Sequence, residues 1–343
     1  DAGTDVMTAE YKTLNEQAAA LLDGSVQAIV YNEGYGGILE EGYEGYSSQV
    51  KIIAQYSIET ESDDSQLVQG KAAEVDVKDE TFNMYISGID VYGPVSSKSR
   101  SDVNIIATVN PTTKQILLTN TPRDYYVTIP GVSGDSKDKL THAGIYGVDK
   151  SMATLENLYG IEIPFYARVN FTSLITMVDS MGGIDVESEY AFTTNGDGGA
   201  VINVQQGTNH FNGKQALAFA RERYNVPGGD NQRGKDQMAV IQAMFKKMIT
   251  PEMLVKAPSL ISEVSDSVET NMSMDQIQKL IQSQLNSGGT WTMKSVAAEG
   301  TGDSQYCYSM PGTALYVMQP DQTSVDNIKA LMQTVKDGGQ LPE

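Results

Sequence analysis

Cysteine is nearly absent. Cys307 is the only one in 343 residues, so an intramolecular disulfide is impossible and a cysteine-held zinc site is excluded with it. No apolar run reaches the roughly 18 residues that a membrane-spanning helix needs. The chain from Asp1 onward lacks a basic-then-apolar leader pattern, so a membrane anchor is expected to lie outside this sequence. Positive charge is also scarce. Lys and Arg total 24 against 44 Asp and Glu, a formal net charge of −20, which excludes general nucleic-acid binding because that needs a basic footprint. There is no phosphate-cradling Gly-x-x-x-x-Gly-Lys-Ser/Thr loop and no His-Glu-x-x-His pair. Neither the serines nor Cys307 have the surroundings of an acyl-transfer nucleophile.

Arginine is the most informative scarcity. Only six occur, Arg100, Arg123, Arg168, Arg221, Arg223 and Arg233, and all fall in the middle of the chain. Lysine, three times as common, shows no such segregation. Arginine offers a planar, bidentate grip on phosphate or carboxylate, so its confinement to one stretch points to a site rather than to solubility. The acids are unevenly spread too. Residues 1–80 hold 17 Asp and Glu against 4 Lys, marking a compositionally distinct acidic unit with no evident catalytic cluster.

Hydrophobic spacing organises the chain as a mixed α/β protein. Residues 8–22 have helical spacing with Thr8 as N-cap, and residues 26–31 and 50–58 read as strands, so residues 1–80 are expected to form a small α/β accessory domain. A larger unit over 81–343 follows. It has strands at 82–89, 103–109, 115–120 and 164–169, with a hairpin turn at Asn110-Pro111-Thr112-Thr113. Helices are expected over 170–181, capped by Asn170 and stopped by Gly182-Gly183, and over 213–224 and 233–249. The tail, 271–343, adds two helices and a strand near Trp291. Interleaved strands and helices imply a mixed central sheet covered by helices on both faces.

Four segments concentrate polar residues at the ends of apolar elements: SGIDVYGPVSSKSRSD at 87–102, TPRDYY at 121–126, KLTHAG at 139–144 and FARERYNVPGGDNQRGKDQ at 219–237. Five of the six arginines lie in them beside Asp90, Asp102, Asp124 and Asp230. Each motif alone would pass for a surface ion pair. Together they are what a metal-bridged diphosphate needs, arginines for the phosphoryl oxygens and carboxylates for a hard cation such as Mg2+. Arg168, at a strand end, is equally compatible with a structural ion pair. His142 has no nucleophile beside it and is expected to orient a loop.

These strings, in this order over roughly residues 82–250, resemble the core of the LytR–CpsA–Psr family, and the acidic segment ahead resembles the accessory domain of its CpsA-type members. The resemblance implies an α/β sandwich with a lipid-accepting pocket between sheet and helices. It implies a phosphotransferase on the outer face of a Gram-positive cell membrane, moving a glycopolymer phosphate from a polyprenyl diphosphate carrier to peptidoglycan. Asp90 and Asp102 match the family's metal-binding aspartates, with Mg2+ as the cofactor. Arg100, Arg123, Arg221, Arg223, Arg233 and Gln237 match its diphosphate-binding residues. Asp90 is followed by Val-Tyr-Gly, where many members have an arginine or threonine, which weakens that match. Arg100 and Arg123 would stabilise charge in the reaction, and Asp124 or Asp230 would orient or deprotonate the attacking sugar hydroxyl. Methionine- and phenylalanine-bearing helices at 171–181 and 238–248 would line the lipid cleft or belong to the ordinary core. A non-catalytic lipid-phosphate or glycan-binding regulator, and a pyrophosphatase acting on the same donor, are the competing readings.

Overall fold

Alternation along two strands sets the centre of the molecule. In Ser101–Asn110, Ile106 faces one side and Ile105 and Ala107 the other; in Gln115–Asn120, Leu117 opposes Ile116 and Leu118 in the same way. Both faces are therefore apolar and both must be covered. The computed structural model, which describes residues 7–56, 69–89, 98–197, 199–265 and 267–342, shows how. On one side Tyr85, Ile106 and Leu117 pack against the helices Val148–Tyr159 and Gln322–Lys336. On the other, Ile105, Ile116 and Leu118 meet Met238, Phe245 and Ile277 from the helices Asp230–Met248 and Met274–Ser287. Each such buried side chain is worth roughly 1.5–3 kcal/mol.

The central sheet has the order Glu269–Thr270, Phe165–Val169, Phe82–Ile89, Ser101–Asn110, Gln115–Asn120, Thr292–Ala297. Phe82–Ile89, Ser101–Asn110 and Gln115–Asn120 pair antiparallel in turn, while Phe165–Val169 and Thr292–Ala297 run parallel to their inner neighbours. The sheet is thus mixed, as the pattern predicts. This topology matters for function. Ile89 pairs with Ser101, Asn120 with Ile105, and Val169 with Gly88, so the chain segments carrying Arg100, Asp102, Arg123 and Asn170 all emerge at one end of the sheet.

The cap at Asn170 is present as a capping box with Ser173, and Gly182 and Gly183, both at positive φ, end that helix at Ser180. The helix predicted over 213–224 stops at Arg221, because Glu222 turns extended. The helix predicted over 233–249 begins earlier, at Asp230, and ends at Met248, before Pro251. Two helices that the pattern does not signal, Leu140–Tyr146 and Val148–Tyr159, separate at Gly147.

The N-terminal segment departs from expectation. Its first helix is Leu14–Leu22, capped by Thr13 rather than Thr8, since Thr13-x-x-Glu16 is the true capping signature: Thr13 accepts from the Glu16 amide at 3.2 Å. Residues 26–31 form no strand, and neither do 50–56. Val30, Ile52, Ile53 and Tyr56 are β-prone but exposed, with no neighbouring strand among the described residues to complete a ladder. Residues 57 and 58 lie outside the described residues. The regular structure described in this segment up to Gln49 is helical, and it docks on the rest of the chain: Ala18, Ile38, Leu39 and Tyr46 share one apolar cluster with Ile145, Met310, Leu315 and Val317. The last three belong to a hairpin, Gly300–Cys307 with Met310–Pro320, which Gly300, Gly302, Pro311 and Gly312 disguise in the sequence as loop.

Gly144 is where the helix Leu140–Tyr146 touches the start of the Ser101–Asn110 strand. A Cβ there would stand 2.6 Å from the Ser99 carbonyl oxygen and 2.9 Å from the Ser101 nitrogen, and backbone cannot step aside cheaply. Gly144→Ala is expected to lower stability by about 1–3 kcal/mol through overpacking, read as a lower urea midpoint at unchanged slope.

Candidate functional site

At the converging end of the sheet lies a cavity of about 780 Å3, enclosed between strands Phe82–Ile89, Ser101–Asn110 and Phe165–Val169 and helices Phe171–Ser180, Gly213–Arg221 and Asp230–Met248. Arg100, Asp102, Arg123, Arg221, Arg223, Arg233 and Gln237, all singled out from sequence, line this one cavity. Beyond the polar residues the lining is apolar. Along the helix Asp230–Met248, Arg233 and Gln237 come first, then Val240, Ile241, Met244, Phe245 and Met248. From Arg233 to Met248 that face runs about 22 Å at 1.5 Å per residue. Phe171, Leu174 and Met177 line the same cavity from the facing helix. Both helices expected to border a lipid cleft therefore do border an apolar cavity, while Met238 belongs to the core.

The polar wall is an alternating chain of charges. Asp102 accepts from Arg123 at 3.0 Å and from the Thr141 hydroxyl at 3.0 Å. Arg123 Nε lies 3.6 Å from Asp124, Asp124 is 3.2 Å from Lys139, and Lys139 is 2.6 Å from Glu41. Glu41 in turn receives Arg100 at 2.8 Å. Burial alone would raise the Asp102 carboxyl, but Arg123, Arg100 and Arg233 outweigh it and hold the group below the usual carboxylate range. Glu41 is likewise depressed, its burial outweighed mainly by Lys139. Lys139, whose side chain is only 4% exposed, would be pushed down by burial, yet Asp124 and Glu41 raise it and keep it cationic.

Asp124 is off the cavity wall, behind Arg123, and its backbone carbonyl accepts from the Met318 amide of the hairpin at 2.7 Å. Asp90 lies outside the described residues, as does the side chain of Asp230, whose backbone opens the helix bearing Arg233. Arg168 is not part of the cavity. It is buried in an ion pair with Glu269, its Nε 3.0 Å from the carboxylate, so the structural alternative is the one the fold uses. His142 is fully buried, 2.6 Å from Asp138 and 2.9 Å from Ser309 of the hairpin, and it ties that hairpin to the Leu140–Tyr146 helix.

Sequence reasoning missed Lys139 and Glu41. Lys139 opens the KLTHAG string, so a signal existed; Glu41 sits in the acidic segment, where nothing distinguishes it from other acids. The residue between Arg221 and Arg223 proves structural. Glu222 is buried and accepts the amides of Arg223, Tyr224 and Asn225 at 2.7–3.0 Å and that of Asn195 at 2.5 Å. These bonds outweigh burial and keep its carboxyl low. They fix the loop so that Arg221, stacked 4.2 Å over Phe171, and Arg223 both reach the cavity. Among the described residues no group of three or more His, Cys, Asp or Glu is arranged to hold a metal ion.

The family model described as the LytR_cpsA_psr family matches residues 44–334. TagU of Enterococcus faecalis, a polyisoprenyl-teichoic acid–peptidoglycan teichoic acid transferase, is 34% identical over 229 residues, 66% of this chain and 72% of TagU. TagV of Bacillus subtilis, which carries the same description, is 30% identical over 262 residues, 76% of this chain; the chain spans only 66% of TagV's length. The crystal structure of B. subtilis TagV superposes with a TM-score of 0.63 at 27% identity, covering 77% of this chain and all of that one. TagT bound to LI-WTA superposes with a TM-score of 0.59 at 25% identity, covering 76% of this chain and 92% of that one.

One titration near the site is directly testable. Asp236, one helical turn from Gln232 and next to Gln237, is 2% exposed; burial raises its carboxyl to about 7, with Glu189 adding to the rise and a 3.0 Å bond from Gln232 offsetting part of it. Its native pKa lies above the unfolded value, so the folded state binds the extra proton between about pH 4 and 7. Stability contributed by the neutral acid is present below pH 4 and is lost as pH rises through 7. Asp236→Asn is expected to match the wild type near pH 3 and exceed it at pH 8 by roughly 2–4 kcal/mol, measured by denaturant unfolding at both pH values.

Proposed function

The chain belongs to the LytR–CpsA–Psr family, and on that premise we propose that it is a phosphotransferase that moves a teichoic acid or related glycopolymer phosphate from a polyprenyl carrier to peptidoglycan. The observation that carries this reading is the composition of one cavity. Five arginines gather where one face of a helix turns from polar to apolar, and the apolar part, Val240 to Met248, continues for about 12 Å. An ordinary metabolite phosphate has no use for such an apolar extension; an isoprenoid diphosphate needs both parts. TagU and TagV, which share about a third of their aligned residues with this chain, are described as enzymes of this kind.

In the reaction a peptidoglycan sugar hydroxyl, in the sequence-based expectation the 6-hydroxyl of N-acetylmuramic acid, attacks the phosphorus bearing the glycopolymer. Polyprenyl phosphate departs. Arg100, Arg123, Arg221, Arg223 and Arg233 meet the phosphoryl oxygens, so catalysis is electrostatic and positional, and losing one cation costs on the order of 10²–10³ in rate. Asp124, held between Arg123 and Lys139 off the cavity wall, positions those two cations. That leaves Asp230, at the start of the helix bearing Arg233, as the candidate to take the hydroxyl proton. An ionised, half-buried Asp102 is a hard oxygen donor suited to Mg2+, which binds through one or two carboxylates plus substrate phosphate. Asp102 and Asp90 would hold it, and it would add charge neutralisation at the diphosphate.

The acidic residues 1–80 are read as a CpsA-type accessory unit and 81–343 as the transferase domain. The working location is the outer face of a Gram-positive membrane, reached through an anchor outside this sequence. Among the described residues no helix is long and apolar enough to cross a membrane.

Mass spectrometry of lipid extracted from purified protein tests the reading. The wild type is expected to carry polyprenyl phosphate or diphosphate, and Arg221→Ala to lose it. A clean wild-type protein that also fails to bind added polyprenyl diphosphate with Mg2+ contradicts it.

A further inference from the structure

The wall of the cavity contains a carboxylate that the chemistry above does not call for. Glu41 belongs to the short helix Gly36–Gly42 of the acidic N-terminal segment, yet it lines the cavity and grips two of its cations, Arg100 at 2.8 Å and Lys139 at 2.6 Å. The approach is built in. A Cβ on Gly37 would stand 2.4 Å from the Arg100 guanidinium carbon, so a larger residue there would make the end of that side chain shift. The segment is anchored independently of the ion pairs, by Ile38, Leu39 and Tyr46 packed with Met310, Leu315 and Val317. Glu41 is held ionised.

We propose that Glu41 is a resident counter-ion of the diphosphate site, a specificity-determining carboxylate that occupies Arg100 and Lys139 until a more highly charged ligand displaces it. This rests on the diphosphate reading of the cavity. Three arguments support it. First, Arg100 is paired with a carboxylate from a separate segment of chain, outside the motifs that carry the cavity arginines. Second, a carboxylate and a phosphoryl oxygen seek the same donors on a guanidinium, so they compete for the same geometry. Third, a monoanion entering here only exchanges one carboxylate for another, whereas a diphosphate brings more charge to the same cations. Glu41 thereby sets a charge threshold for entry and makes the acidic segment a working part of the site. A purely structural Glu41 makes the opposite prediction, because its removal would loosen Arg100 and weaken anion binding.

The sign of the effect decides. Binding of inorganic pyrophosphate, with Mg2+ present, is measured by calorimetry for the full wild-type chain, Glu41→Gln and Glu41→Ala. Removing one negative charge beside Arg100 is expected to tighten binding about ten- to a hundredfold in both variants. In the wild type, pyrophosphate is expected to speed amide hydrogen exchange over residues 36–42 as Glu41 lets go, a readout that needs no variant to fold. Affinity unchanged or weakened in both variants while the wild type binds overturns the role of Glu41 and leaves the transferase reading standing. Protection of residues 36–42 by pyrophosphate also overturns it. No pyrophosphate binding by any of the three proteins overturns both.

Discussion

Everything at this site depends on keeping several like charges side by side in a half-buried cavity. Arginines gathered around one space of low polarity repel one another, and each loses hydration on being placed there. The fold answers with alternation: Asp102, Arg123, Asp124, Lys139, Glu41 and Arg100 follow one another, each within 4 Å of the next. Arg123, Asp124, Lys139 and Glu41 are each shared between two partners of opposite sign. This run of six charges is close to neutral in itself, so the positive character offered to a ligand comes from Arg221, Arg223 and Arg233 across the cavity. An anionic ligand therefore meets cations already fixed in place rather than cations it must gather, which is the condition for electrostatic preorganisation.

Topology supplies the convergence. Antiparallel pairing brings the start of Ser101–Asn110 and the end of Gln115–Asn120 to the same sheet end, and the parallel strand Phe165–Val169 delivers Asn170 and Phe171 there as well. Helix packing supplies the rest. Glu222 ends one helix and shapes the loop that presents Arg223, and the next helix carries Arg233 and Gln237 toward the same space. The hairpin Gly300–Cys307 with Met310–Pro320 braces the assembly from outside, through Met318 to the Asp124 carbonyl and through Ser309 to the buried Asp138 and His142.

Much of this was legible in the chain, for physical reasons that differ by element. The central strands were readable because both sheet faces are buried, so apolar runs such as VNIIATV are long and unambiguous. Asn170 and Gly182-Gly183 were readable because caps are local chemistry. The arginine constellation was readable because arginine is rare here. Lys139 and Glu41 were not, because they are 98 positions apart and each is one of many similar charges. The supposed strands at 26–31 and 50–56 failed for the converse reason: β-propensity without a neighbouring strand builds nothing. Thr13 rather than Thr8 caps the first helix because, of the two, only Thr13 has a glutamate three residues on.

The measurement that bears most directly on the account is a transfer assay. Purified protein, Mg2+, a polyprenyl-diphosphate-linked teichoic acid precursor and peptidoglycan oligosaccharides are incubated together, and the phosphorus-containing products are separated. The account predicts glycopolymer joined to the oligosaccharide through a phosphodiester, with polyprenyl phosphate released in equal amount. Glycopolymer phosphate released to water whether or not the acceptor is present would make the protein a hydrolase, and an unchanged precursor would leave it a binding protein; either result contradicts the account.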